Sequence, residues 1–440
     1  AEAMAASGGD WGIVGVSLKS PKTRDALAPQ NWAYTSVTLA ESGESTQVID
    51  VLEDVLVAPE DPAAVLEAMA DPGVRIVSLT VTEKGYCHNP ATGELALDHP
   101  DIAHDLRQEL PRSAPGFLVR ALARRRADGV APFTVLSCDN LPENGALVRK
   151  IVLDFAHLID PSLAQWIAGN ARFPATMVDR ITPATTPNDI ARVTAMTGLY
   201  DGAPVLHEPF RQWVIEDNFV EGVRPDFEAV GIEMVKDVTG FEQMKLRMLN
   251  GSHSALAYLG YLAGHETVSD TVADPAFTAY VRQLWGEIMP VVRAPQGFDL
   301  HDYAQALMER YANPKIRHRT WQIAMDGSQK LPQRLLSSLE ANIAAGKPAP
   351  GLCLAVAAWM YYVGGIDQSG RPIEVKDPMA ERLRALSDAA NTPADKVAAL
   401  LSLSEIFPPE LAETLKAPVT EAAQILWTQG ARQAALQVVT

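Results

Sequence analysis

Cysteine is almost missing from this 440-residue chain, which has only Cys87, Cys138 and Cys353. Three scattered thiols exclude a disulfide framework and match no zinc-ligand spacing. A cytosolic protein is the simplest expectation. No uninterrupted apolar run is long enough to cross a bilayer, and the opening AEAMAASGGDWG resembles no processed leader. Basic residues are in deficit, with 37 Lys and Arg against 54 Asp and Glu, giving a formal net charge of -17. That balance argues against general nucleic-acid binding but leaves room for a local basic pocket. No fixed repeat period is present, which excludes a repeat array. What remains is ordinary for a soluble globular protein, 47% hydrophobic and 21% charged residues. The length exceeds one usual core, so two domains are expected.

The first half alternates strand and helix signals. Apolar strands are predicted over 11–16, 34–39, 47–56, 75–80 and 133–137, and helices over 59–69, 114–126, 144–156 and 162–168. The 114–126 helix is amphipathic, with basic residues on its polar side. This alternation indicates a doubly wound α/β domain. Ligands of open parallel sheets bind beyond the carboxyl ends of strands. Two loops lie there: VTEKGYCHNP, with Thr82, Glu83 and Lys84, and CDNLPENG, with Asp139, Asn140 and Asn144. Either alone reads as a solvated turn, since Asn tolerates turn geometry. The pair makes a shared crevice the better reading. In FPATMVDRITP, Asp179 and Arg180 read as a structural pair. In PVLHEPFRQWVIE, His207, Glu208 and Arg211 suit an oxygen-rich ligand, although a His-Glu pair alone does not make a metal site. Beyond Ser269 strands largely disappear. The expected division is residues 1–235 and a mostly α-helical domain of residues 236–440.

The chain is organised around FEQMKLRMLNGSHSALAYLGYLAG, residues 241–264. Its apolar residues recur with helical spacing, while Lys245, Asn250 and His253 interrupt them. At roughly 100° per residue, His253 lies about 80° round from Lys245 and Asn250 about 60° from His253. All three fit inside one broad face. Gly251 and Ser252 leave room beside them for a ligand or another backbone. A base, an amide and an imidazole beside such a gap suit proton and hydride chemistry on a carbinol. A buried helix with solvated polar ends is the competing reading. In RHRTWQIAMDGSQKLPQR, Lys330 and Arg334 could hold a carboxylate or hydroxyls.

These segments together resemble the polyol-specific long-chain dehydrogenase family, also called the mannitol dehydrogenase family. FPATMVDRITP resembles its signature. KLRMLNGSHS carries the family's Lys-x4-Asn-x2-His pattern at Lys245, Asn250 and His253, and SCDNLPENG carries the matching Asn loop at Asn140. Within the family, SLTVTEKGYC, EPFRQWVIEDNFV and RHRTWQIAMDGSQKLPQR are most similar to the fructuronate reductase (D-mannonate oxidoreductase) branch. Mannitol 2-dehydrogenases usually carry Arg eight residues before the second-domain Lys. Here Gln322 stands eight before Lys330, which weakens any transfer of mannitol specificity.

The resemblance implies a Rossmann-like N-terminal domain, a mostly helical C-terminal domain and a nicotinamide cofactor. Family members begin with a strand and a Gly-rich loop resembling G-x-G-x-F-H-R-A-H, so such a segment is expected to precede Ala1. GIVGV at 12–16 then corresponds to the second strand. An acid that grips the adenosine ribose is not evident after it, where Ser17 and Lys19 stand. NAD is the implied cofactor, with NADP left open, and Ser17, Thr82 and Asp139 are its expected contacts. The implied chemistry is hydride transfer at a sugar-acid alcohol, with Lys245 as acid/base. An ordinary Lys pKa of about 10.4 requires that burial and nearby positive charge lower it in the competent complex. Asn250 and Asn140 are expected to steady the developing oxyanion, and His253 to position it. Glu83, Lys84, Asn144, Lys330 and Arg334 are the remaining substrate candidates. The partner is a small sugar acid or polyol, and a monomer is consistent with a pocket built from one chain. The rival readings are a mannitol-type 2-dehydrogenase and a nonenzymatic sugar-binding protein.

Overall fold

The computed structural model describes residues 1–89 and 92–439. Pro90, the last residue of the VTEKGYCHNP loop, lies outside them. The chain divides into two compact units, Ala1–Thr239 and Gly240–Thr440.

The first unit holds ten strands among its described residues: β1 (Ile13–Ser17), β2 (Tyr34–Ala40), β3 (Gly43–Ile49), β4 (Leu52–Val57), β5 (Ile76–Leu79), β6 (Thr134–Ser137), β7 (Thr176–Asp179), β8 (Val205–His207), β9 (Gln212–Glu216) and β10 (Glu233–Val235). β1 pairs with β4 and β5 with β6, both in parallel. Parallel neighbours need a crossover connection, and the Ala114–Ala127 helix lies between β5 and β6, while the Pro62–Ala70 helix links β4 to β5. The single strand expected over 47–56 is two strands. β3 folds back antiparallel on β2, and the chain breaks at Asp50 and Val51 before β4 begins. The polar run GESTQ suits an exposed hairpin arm, whereas Val55 and Val57 of β4 enter the core. Leu56 between them packs against a separate cluster that includes Val65, Leu66, Met69, Phe117, Leu118, Val135 and Phe155.

Arg125 departs from the expected basic polar face. It is buried, and its guanidinium donates to the carbonyls of Met69, Asp71, Val74 and Ala131. A charged head can enter a core only where its donors are satisfied, and here it ties two helices together.

The second unit is helical. Its Pro350–Tyr362 helix is buried at every position from Gly351 to Met360. It packs against Gly251–Leu262, Pro275–Ile288 and Pro409–Gln429. The first N–H groups of a helix lack intrahelical partners. Here the buried Glu287 carboxylate accepts from Gly351 N–H at 2.8 Å and Leu352 N–H at 2.9 Å. Among the described residues no helix is long and apolar enough to cross a membrane.

Candidate functional site

The 239–262 stretch is one continuous helix with an irregular middle. Thr239–Met244 and Gly251–Leu262 are α-helical, and Lys245–Asn250 between them is a π-helix. A π turn closes from residue i to i+5, so residues five apart stack above one another. Lys245 and Asn250 are five apart. A 100° wheel spreads them widely, but the π turn brings them onto one side. Altered turns leave backbone carbonyls that need new partners. Met248 O accepts from Ser252 Oγ and from Trp285 Nε1 at 3.1 Å, and Leu249 O accepts from the Tyr311 hydroxyl at 3.0 Å. Ser252 and Tyr311 hydroxyls also meet at 2.8 Å. Lys245 is buried, at 7% exposure. The Asn250 side chain is partly exposed and makes no hydrogen bond among the described residues, so its amide is available to a ligand.

His253 is buried one turn further on. Its ring lies 4.7 Å from that of Tyr311 and meets His318 edge-on at 4.9 Å and 87°. Burial, aided by His318, Arg310 and Arg334, holds the His253 pKa well below its usual range. His253 is therefore a neutral imidazole near pH 7. Burial and the charges of Arg334 and Lys330 push His318 down to about 4. His318 is not legible as a site residue in the sequence, although it stands in the RHRTWQ run. One imidazole among basic residues gave no periodic or motif signal.

A second π-helix, Pro332–Leu336, carries Arg334. The two irregular segments meet at Gly251, where an added Cβ would lie 2.7 Å from the Arg334 carbonyl oxygen. The gap beside Gly251 is thus filled by another backbone. Arg334 Nη1 donates to Ser254 Oγ at 3.2 Å. Lys330 Nζ donates to Met325 O at 2.6 Å, and burial with Arg334 nearby pushes its pKa down to about 8. The turn before Lys330 is pinned by Asp377, which accepts from Ser328 N–H at 2.8 Å and Ser328 Oγ at 2.6 Å.

In the first unit, the loops beyond β5 and β6 correct two expectations. Asp139, expected to contact cofactor, accepts from Val81 N–H at 2.9 Å, Thr82 N–H at 3.0 Å and the Tyr86 hydroxyl at 2.8 Å. Its oxygens fix the turn in which Thr82 adopts φ +62°, a region unfavourable to a β-branched residue. Asn144, expected to touch substrate, is 1% exposed. Its amide donates to Thr176 O at 2.9 Å and Asp139 O at 3.1 Å and accepts from Thr176 N–H at 3.0 Å. It joins the β6 loop to β7 and has no group left for a ligand. Thr82, Glu83, Lys84 and Asn140 are exposed, and Ser17 Oγ donates to Ser20 O at 2.6 Å.

The passage from His207 to Arg211 is likewise structural. His207 Nδ1 donates to Glu208 O at 2.8 Å, which leaves Nε2 to accept from Ser36 Oγ at 2.7 Å. The Glu208 carboxylate accepts from Ile181 N–H at 2.7 Å, Arg180 Nε donates to Glu208 O at 3.3 Å, and Arg211 pairs with Glu2.

Comparison with known proteins gives this arrangement a context. The mannitol dehydrogenase Rossmann domain matches residues 2–229, and the mannitol dehydrogenase C-terminal domain matches residues 237–427. The D-mannonate oxidoreductase of Escherichia coli (strain K12) is 48% identical, over 96% of this chain and 88% of that protein. A mannitol 2-dehydrogenase of Aspergillus fumigatus is 43% identical, over 91% and 81% respectively. The structure of Pseudomonas fluorescens mannitol 2-dehydrogenase, a ternary complex with NAD and D-mannitol, superposes with a TM-score of 0.89 at 38% identity. It covers 100% of this chain and 90% of that one. A Rossmann-type first unit, a helical second unit and family matches across both establish that the chain belongs to the mannitol dehydrogenase family of oxidoreductases.

Proposed function

We propose that this chain is an NAD-dependent dehydrogenase that interconverts D-mannonate and D-fructuronate, with Lys245 as the acid/base. The observation that carries the reading is the π turn that sets Lys245 and Asn250 on one side of a helix, one turn from a neutral His253. In oxidation, neutral Lys245 takes the hydroxyl proton of the substrate carbinol, and in reduction it returns that proton to the carbonyl oxygen. The Asn250 amide donates to the same oxygen as negative charge gathers there, which is oxyanion stabilisation without a proton transfer of its own. His253 stays neutral and orients the oxygen, its ring held by Tyr311 and His318.

The residues present fit a dinucleotide. Parallel strands β1 and β5 end at Ser17 and at the Thr82 turn, and Asp139 holds that turn so that Thr82, Glu83 and Lys84 face outward. Carboxyl ends of parallel strands are where such ligands bind. The nicotinamide, when bound, supplies the hydride acceptor for oxidation and the hydride donor for reduction. Ser17 and Thr82 are the proposed contacts, with Asp139 acting through the turn.

The acid substrate is favoured by 48% identity to a D-mannonate oxidoreductase and by the cations Lys330 and Arg334 beside the proposed catalytic helix. A polyol–ketose pair is the second reading, favoured by the mannitol 2-dehydrogenase relatives. Reduction of D-fructuronate and D-fructose, each with NADH and NADPH, is followed by nicotinamide absorbance. A strong kcat/KM preference for fructuronate with NADH is expected. A preference for fructose would replace the substrate assignment.

A further inference from the structure

Two other arginines withdrawn from solvent are answered by acceptors. Arg125 meets four carbonyls, and Arg224 meets the carboxylates of Asp217 and Glu228. Lys330 donates to a carbonyl and has Asp326 and Asp377 near enough to favour its charge. Arg334 differs. It is partly buried, its hydrogen bond is to the neutral Ser254 hydroxyl, and it makes no ion pair among the described residues. The groups that favour its charge are the phenols of Tyr258 and Tyr311, and no carboxylate is among them. Its own charge is felt by His253, His318 and Lys330.

A withdrawn cation without a counter-ion is unfavourable. A guanidinium has five N–H donors in a planar fork that matches a carboxylate. Arg334 is also fixed in place. Its backbone abuts Gly251, and its side chain is tethered at Ser254, the residue after His253.

Resting on the reading above, we infer that Arg334 receives the carboxylate of the substrate and is the residue that selects a sugar acid over a neutral ketose. Lys330, already balanced by acids and a carbonyl, is left for hydroxyl contacts. The carboxylate accepts from the free Arg334 donors and supplies the missing counter-charge.

The test compares wild type with Arg334→Met and Arg334→Lys in two measurements. The first is the ratio of kcat/KM for D-fructuronate to that for D-fructose. Removing one partner of a desolvated charge pair is worth about 100-fold or more. The ratio is expected to fall by about that factor in R334M and by less in R334K, which keeps the charge but loses the fork. The second is calorimetric binding of D-gluconate against D-glucitol, which needs no turnover. R334M is expected to lose the gluconate preference. Equal losses on both substrates, with the gluconate preference intact, would make Arg334 merely structural and overturn the inference. A wild type that ignores fructuronate, yet loses its gluconate preference in R334M, would sink the mannonate reading and leave the Arg334 inference standing.

Discussion

Replacing Gly251 by Ala tests whether the contact between the two π segments sets the catalytic geometry. The added Cβ would sit 2.7 Å from the Arg334 carbonyl oxygen, whereas ordinary van der Waals contact begins at 3.4 Å. Something must retreat by about 0.7 Å, and the obstructing atom is backbone, which cannot rotate aside as a side chain can. Overpacking of this kind costs about 1–3 kcal/mol. The shift falls between Lys245 and Asn250 on one side and His253 on the other. A misplacement of about 1 Å near reacting groups can cost about 100-fold, so kcat is expected to fall between about 10-fold and 100-fold. The assay is steady-state reduction with matched thermal unfolding. Gly286→Ala is the control, since its Cβ would meet nothing within 4 Å in the 275–288 helix. That variant should keep its activity and gain up to about 1 kcal/mol from helix propensity. A G251A enzyme with unchanged kcat would refute the argument that this contact positions the site.

Two further substitutions separate the proposed roles. Asn250→Ala removes the unengaged amide of the π turn, and a loss of about 100-fold in kcat, with smaller change in KM, is expected of a lost oxyanion donor. Intact turnover would remove Asn250 from the mechanism. Asp139→Asn keeps the shape but turns an NH2 group toward a backbone N–H, leaving a donor without an acceptor at about 1–3 kcal/mol. The Thr82 turn should loosen, raising the KM for NADH about 10-fold or more. An unchanged cofactor KM would show that this turn does not govern binding.

Much of the fold was legible in the chain because its strands are short apolar runs bounded by polar turns, as at 75–80 and 133–137. The β3–β4 break was not, because Val48, Ile49, Val51 and Leu52 read as one strand with a single polar interruption at Asp50. The π turn is invisible to any wheel drawn at the α-helical angle, although KLRMLN is where it forms. Several polar residues had the right type and the wrong employment. Asp139, Asn144, His207 and Glu208 follow or sit in strands as ligand groups do, yet Asp139, Asn144 and Glu208 are committed to backbone partners many residues away, and His207 to the distant Ser36 hydroxyl. Sequence proximity cannot reveal such long-range partners. The same limit hid the burial of Arg125 and the edge-on pairing of His318 with His253. Lys330 and Arg334 stood out together as basic residues, and their contrasting electrostatic surroundings became readable only from the structure.

The most direct test of the account is single-turnover hydride transfer in Lys245→Ala. Protein and D-fructuronate are mixed with NADH, nicotinamide absorbance is followed from pH 6 to pH 10, and NADH binding is measured separately by fluorescence. Loss of a positioned acid/base is worth about 100-fold to 10,000-fold. The account predicts a loss of that size at every pH, with NADH binding retained. Hydride transfer at the wild-type rate would contradict it.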